Sequence, residues 1–186
     1  MNISIRQATP QDLERITEIY RESVLNGVAT YELTPPDLME MQGRYAALVD
    51  NGFPYLVAET DNGELAGYAY AGPYRTRPAY RWTVEDSIYL PPESRGKGVG
   101  RALLAALVER CADLGFRQMI AVIGGAAPAS VALHRALGFQ LTGAMKATGF
   151  KHGRWLDTTI MQLPLGEGQS TDPDSNAYPG TLFREG

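Results

Sequence analysis

The sequence predicts a single α/β domain of the mixed α+β kind, on three observations. Hydrophobic residues switch between periods of two and 3.6 in the order β-α-α-β-β-β-α-β-α-β-β. The 186 residues, 44% of them hydrophobic, suffice for the core of one ordinary domain and are short for two. Gly96, Gly98 and Gly100 crowd the junction between a strand pattern and a helix pattern, as a tight strand-to-helix turn requires.

The opening NISIRQA alternates as a strand. Thr9 is placed to cap the next helix, with Pro10 at its first position and Asp12 three residues past the cap; Leu13, Ile16, Ile19, Tyr20 and Val24 recur on its inner face. A second helix starts near Pro36, turns Leu38, Met41, Tyr45 and Leu48 inward, and stops at an Asn-Gly pair. YLVAE and LAGYAYAG flank TDNG as a hairpin, because Asn-Gly supplies the positive φ of a tight turn. PYRTRPAYR interrupts as a loop. TVEDSIYL resumes as a strand, with Thr83, Glu85, Ser87 and Tyr89 on one face and Val84, Asp86, Ile88 and Leu90 on the other.

The helix that follows the glycines runs to about Leu114. RQMIAVIG is a strand, PASVALHRALGF a short helix ending at Gly138, and QLTGAMKATG and RWLDTTIMQL are closing strands joined by a turn that His152 shapes. The domain spans residues 1–165. Residues 166–186 are polar and rich in breakers, and form a tail that can pack through Tyr178 or Phe183.

A formal charge of −4 argues against a general nucleic-acid surface, which needs a basic field to release counterions. The first residues lack a signal-peptide pattern, and no apolar run approaches the roughly 20 residues of a membrane span. Cys111 stands alone, so no internal disulfide forms, and the cytoplasm is the expected compartment. Two histidines and one cysteine make no ligand cluster, so no metal is expected.

The glycine turn precedes a helix N-terminus, where unpaired N–H groups and the helix dipole favour an anion such as phosphate, and Lys97 and Arg101 add charge nearby. A Walker loop fails because Gly98, not a hydroxyl residue, follows Lys97; a dinucleotide fingerprint fails because Arg101 and Leu103 occupy its third glycine position. What fits is Arg/Gln-x-x-Gly-x-Gly/Ala, read at Arg95, Gly98 and Gly100. This resembles the acetyl-CoA pyrophosphate loop of the GCN5-related N-acetyltransferases, the GNAT superfamily, and SVALHRALGF resembles a second shared segment. AYAGPYRTRPAYRWTVEDSIYL, AVIGGAAPASVALHRALGF and GFKHGRWLDTTIMQL further resemble the branch that acetylates phosphinothricin, methionine sulfoximine and methionine sulfone, from the first strand to about Leu163.

The resemblance implies a GNAT fold, with a mixed, mostly antiparallel sheet of about seven strands and four helices. It implies acetyl-CoA as cosubstrate, a small amino-acid-like acceptor and a homodimer. The amine needs a base, and the resemblance assigns that role to Glu85; unaided, a strand glutamate reads more readily as a surface or salt-bridged group. His134 falls where many relatives carry a tyrosine that protonates the leaving thiolate, and packing alone is an even alternative. Acceptor binding is implied for Tyr31, Arg75, Thr76, Arg77, Tyr80, Glu85, Asp86 and Ser87, the arginines suiting carboxylate or phosphinate groups. Cosubstrate binding is implied for Ile88, Tyr89 and Leu90 along the pantetheine arm, for Arg95, Gly96, Lys97, Gly98, Val99, Gly100 and Arg101 at the pyrophosphate, and for Ala127 and Ser130 beyond them. Ala127 replaces a common asparagine and offers no side-chain hydrogen bond; Leu104 replaces a hydroxyl-bearing residue. Acetylation of a protein N-terminus or another small amine, or acyl-CoA sensing without catalysis, are the alternatives.

Overall fold

The computed structural model describes residues 2–175. Strands β1 (Ile3–Gln7), β2 (Tyr55–Thr60), β3 (Leu65–Pro73), β4 (Thr83–Tyr89), β5 (Gln118–Gly124), β6 (Gln140–Lys151) and β7 (Arg154–Pro164) form one seven-stranded sheet in the order β1-β2-β3-β4-β5-β7-β6. Helices α1 (Leu13–Asn26), α2 (Leu38–Val49), α3 (Val99–Asp113) and α4 (Pro128–Ala136) complete the order that the hydrophobic periods predict. All strand pairs are antiparallel except β4 with β5. Tyr178 and Phe183, expected to anchor the tail, lie outside the described residues.

Thr9, Pro10 and Asp12 take the cap, first and third positions expected of them, but the turn they open is 3-10. Pro10–Asp12 forms a 3-10 turn, so α1 proper begins at Leu13. Asp12 braces Thr9, accepting its N–H at 2.7 Å, and takes both terminal guanidinium nitrogens of Arg6 at 2.8 Å. The start of α2 follows the usual rule: the Asp37 side chain accepts from the Glu40 N–H.

Two apolar layers cover the sheet. On one face, α3 packs Leu103, Leu104, Leu107 and Cys111 against Val84, Met119, Ala121 and Met161. On the other, α1 and α2 pack Ile16, Ile19, Val24 and Met41 over a tyrosine cluster of Tyr20, Tyr45, Tyr55, Tyr68 and Tyr89. Tyr55 and Tyr68 stack at 5.8 Å, and Tyr20 meets Tyr89 edge-on at 5.0 Å. Beyond Pro164 the chain stays attached for a few residues, because the buried Leu165 donates to the Arg117 carbonyl and Arg117 bonds Thr171 and Asp172.

The feature that positions the site is a short parallel ladder. β4 and β5 pair only from Thr83↔Gln118 to Asp86↔Ala121, and each then continues with a partner on its outer side alone. Past Asp86 the sheet therefore opens, and backbone groups on the inner edges of Ser87–Tyr89 and Val122–Gly124 face a gap.

Candidate active site

A cavity of about 450 Å³ occupies that gap. It is lined by Tyr31, Glu85, Asp86, Ser87, Ile88, Tyr89, Ala127, Ser130 and His134, nine of the residues singled out in the sequence. Strand alternation explains how β4 supplies both Glu85 and Asp86. Asp86 turns toward α4, while Ser87 pairs with the Tyr70 hydroxyl on the tyrosine side, and Glu85 shares the side of Ser87. Because the sheet is open here, residues of both faces reach one cavity.

Burial, then the charge of Asp86, raises Glu85 from an ordinary 4.5 to about 6, with Arg75 pulling in the opposite direction. A carboxylate so tuned is ionised at neutral pH yet is a better proton acceptor than an exposed glutamate.

Asp86 and His134 form a pair within the protein, with side chains 2% and 3% exposed. His134 Nε2 lies 3.0 Å from Asp86 Oδ2 and Nδ1 lies 2.7 Å from the Ser130 carbonyl. Both partners are acceptors when Asp86 is ionised, so meeting both requires a proton on each ring nitrogen. Burial works against that cation, but Asp86 and the Ser130 carbonyl outweigh it and hold the imidazole above its ordinary value. The edge of Phe139 packs on the ring at 4.9 Å. Asp86 Oδ1 is buried and has no hydrogen-bond partner among the described residues.

The glycine turn is a separate element beside the cavity. Gly96 and Gly98 adopt φ of 72° and 83°, and a Cβ at either would meet nothing within 4 Å. Backbone conformation, together with open space in front, therefore accounts for both. Gly100 differs: it is buried, and a Cβ there would lie 3.2 Å from Leu90 and 3.4 Å from Leu133, so close packing explains it. The first helical bond runs from the Ala102 N–H to the Gly98 carbonyl, which leaves the N–H groups of Val99, Gly100 and Arg101 without helical partners. Lys97 and Arg101 are exposed beside them, whereas the Val99 side chain is core. Arg95 does not project freely, since its guanidinium bonds the Leu90 carbonyl and Glu22. These donors, and the open edges of β4 and β5, fit a ligand with a pyrophosphate head and an extended amide-bearing arm.

Other expected residues stand apart. Arg75, Thr76, Arg77 and Tyr80 are exposed and outside the cavity lining, with Arg75 over the Tyr74 ring at 5.1 Å. Leu90 lies just beyond the lining. His152 takes a positive φ of 52° in the β6–β7 turn, as its expected role requires.

Thr30, Val122, Met145, Thr148 and Thr158 also line the cavity and carry no signal in the sequence reading. Counting back from the β6–β7 turn pairs Thr148 with Asp157. A bulge with Ala147 at φ 50° shifts the register instead, and Thr148 bonds Thr158 at 2.7 Å. Tyr31 closes this wall: its hydroxyl donates to the Asp157 carbonyl and meets Thr158 and the Gly125 N–H within 3.1 Å. Its ring lies flat against Gly149, where a Cβ would come within 2.7 Å of it. Gly149→Ala is thus expected to cost about 1–3 kcal/mol, read as a lowered thermal midpoint, because the bonded ring has no direction in which to yield.

The acetyltransferase (GNAT) domain family matches residues 5–160 of the chain. The chain belongs to the GNAT acetyltransferases. This GNAT acetyltransferase is 49% identical over 172 residues to the phosphinothricin N-acetyltransferase of Alcaligenes faecalis, covering 92% of this chain and 87% of that one. It is 45% identical to the L-methionine sulfoximine/L-methionine sulfone acetyltransferase of Pseudomonas paraeruginosa, over 89% of this chain and 96% of the relative. Among solved structures it superposes with a TM-score of 0.97, at 64% identity and with complete coverage of both chains, on a phosphinothricin acetyltransferase of Sinorhizobium meliloti in complex with acetyl-CoA. The expected fold, an acyltransferase with a seven-stranded mixed sheet and four helices, is what this GNAT acetyltransferase has. Among the described residues no helix is long and apolar enough to cross a membrane, and no group of three or more metal-ligating side chains gathers.

Proposed function

We propose that the enzyme transfers the acetyl group of acetyl-CoA to the α-amino group of a small amino acid or analogue of the phosphinothricin, methionine sulfoximine or methionine sulfone type. One observation carries this reading: Glu85, raised to about 6, lines the cavity in the sheet opening, which would admit the arm of acetyl-CoA and an acceptor amine together. The pyrophosphate rests on the Gly96–Arg101 turn, and the pantetheine arm runs along Ile88 and Tyr89 with Ala127 and Ser130 opposite.

The amine lone pair attacks the thioester carbonyl carbon, forming the C–N bond and an oxyanion that a backbone N–H near Leu90 receives. The carbon–sulfur bond then breaks, the electron pair leaves on sulfur, and Glu85 takes the surplus proton from nitrogen, directly or through water. No covalent enzyme intermediate forms. His134, cationic between Asp86 and Ser130, supplies positive charge on the side of the cavity where the thiolate forms. Arg75, at the rim, is the acceptor-facing arginine whose charge Glu85 feels. Met145, Thr148 and Tyr31 shape the opposite wall.

The lone buried thiol of Cys111 and the absence of internal disulfides suit the cytoplasm, where we place the enzyme. The homodimer implied by resemblance belongs to the same proposal; Leu141, Phe150 and Trp155 give the β6–β7 hairpin exposed apolar surface for it.

A thiol-release assay with acetyl-CoA over a panel of amino acids and their sulfone, sulfoximine and phosphinate analogues tests the reading. Turnover of at least one tetrahedral analogue well above its parent amino acid is expected. Activity confined to peptides bearing a protein N-terminus would select the alternative acceptor class, and acetyl-CoA binding without any turnover would select the sensor.

A further inference from the structure

Lys151, the last residue of β6, is 3% exposed. Its Nζ donates to the Thr30 carbonyl at 2.8 Å. Burial pulls the ammonium below its ordinary value, against the attraction of Glu32. Glu32 itself is engaged by Arg44 and by the Tyr20 hydroxyl. A lysine kept dry for a backbone carbonyl is costly, and an apolar side chain of similar length would fill the space more cheaply. What the carbonyl belongs to is therefore informative.

Residues 27–37, between α1 and α2, contain no regular helix or strand. Their path depends on tethers. His152 Nε2 donates to the Gly27 carbonyl at 3.1 Å, Lys151 holds Thr30, and the Tyr31 hydroxyl is bonded to β7 and Gly125. Ala29, Thr30 and Tyr31 line the cavity, whereas Lys151 stands behind them. Fixing the Thr30 carbonyl fixes the whole Thr30–Tyr31 peptide plane, with the Tyr31 N–H on its opposite side. The same cavity is lined by Glu85 and Ser87 from β4, so a tether released at Lys151 moves this wall relative to the base.

We infer that Lys151 is a positioning residue for the acceptor, holding the Ala29–Tyr31 wall at its working distance from Glu85. This rests on the proposed N-acetyltransferase reading of the cavity. Lys151 bonds the Thr30 carbonyl and is outside the cavity lining, so its influence reaches the cavity through the Ala29–Tyr31 wall.

The test is steady-state kinetics of Lys151→Met and Lys151→Arg, varying L-methionine sulfone, or the best acceptor of the panel, at saturating acetyl-CoA, and then the reverse. Lys151→Met is expected to raise the acceptor KM about tenfold, through loss of one charge-assisted hydrogen bond, with kcat and the acetyl-CoA KM within about twofold of wild type. Lys151→Arg, which retains a charged donor, is expected to recover the acceptor KM to within about threefold. Should Lys151→Met fail to fold, Lys151→Gln, one carbon too short for the Thr30 carbonyl, carries the same expectation. An unchanged acceptor KM, equal rises in both KM values, or no recovery with arginine overturns the inference. Wild-type enzyme that binds acetyl-CoA and acetylates nothing in the panel overturns the functional reading and the inference together.

Discussion

Glu85→Gln is expected to lower kcat/KM by about 10²–10⁴ while making the folded enzyme more stable at neutral pH. The two effects share one cause. Burial and Asp86 raise the Glu85 carboxyl from 4.5 to about 6, so the folded protein holds a proton that the unfolded chain releases. Stability attributable to this group is therefore highest at low pH and declines as pH rises from 4.5 through about 6. Above that window the buried carboxylate costs roughly 2 kcal/mol, which the neutral amide avoids. A rise of a few degrees in the thermal midpoint at pH 8, shrinking toward pH 5, is the expected signature. In wild type, kcat/KM for the acceptor should climb through about pH 6 as Glu85 loses its proton, and that limb should vanish in the variant. A variant that keeps both the rate and the limb removes Glu85 from the role of base.

Asp86→Ala is expected to destabilise the fold by about 3 kcal/mol, since it removes the buried partner of His134 and leaves the ring either an uncompensated cation or, once it releases a proton, a neutral ring whose Nε2 has lost its bond. The thermal midpoint should fall by roughly 6–12 °C, given about 2–4 °C per kcal/mol for a chain of this size. Folding raises the His134 value above its ordinary 6.5, so the stability it brings is fully present below 6.5 and is lost as pH rises through the folded value. The gap between wild type and Asp86→Ala should accordingly be wider at pH 6 than at pH 9. The double variant Asp86→Ala/His134→Ala should lose less than the sum of the two singles, because the bond between the two side chains is lost only once. Additive losses would show that the two side chains act independently.

Much of the fold was legible because the helices and strands carry their own hydrophobic periods and the breaks fall at Gly, Pro and Asn-Gly. The 3-10 turn at Pro10–Asp12 was not, because the Arg6 salt bridge that engages Asp12 comes from β1. In the site, Glu85, Asp86 and Ser87 were readable from alternation on one strand and from resemblance of its motif. The Asp86–His134 pair joins residues 48 apart, and alternation indicated only that Asp86 faces away from Glu85. Thr148 and Thr158 were hidden by the bulge at Ala147, whose stabilising bonds, from the Ala147 N–H and the Lys146 ammonium to Asp157, arise only once β6 and β7 have paired. Gly100 shows the reverse limitation: within a motif read as anion-binding, it answers to the packing of Leu90 and Leu133.

The short ladder between β4 and β5 makes the sheet two plates of four and three strands joined over four residue pairs. On the binding mode proposed above, the cosubstrate arm occupies the opening that this short ladder leaves and would act as a removable rung between the plates. Its saturation then enters the folding equilibrium directly, adding RT ln(1 + [L]/Kd) to the stability, or about 2.7 kcal/mol at a hundredfold excess over Kd. Because four strands lie on one side of the opening and three on the other, acetyl-CoA bound there would add to the cohesion of the sheet in proportion to its saturation.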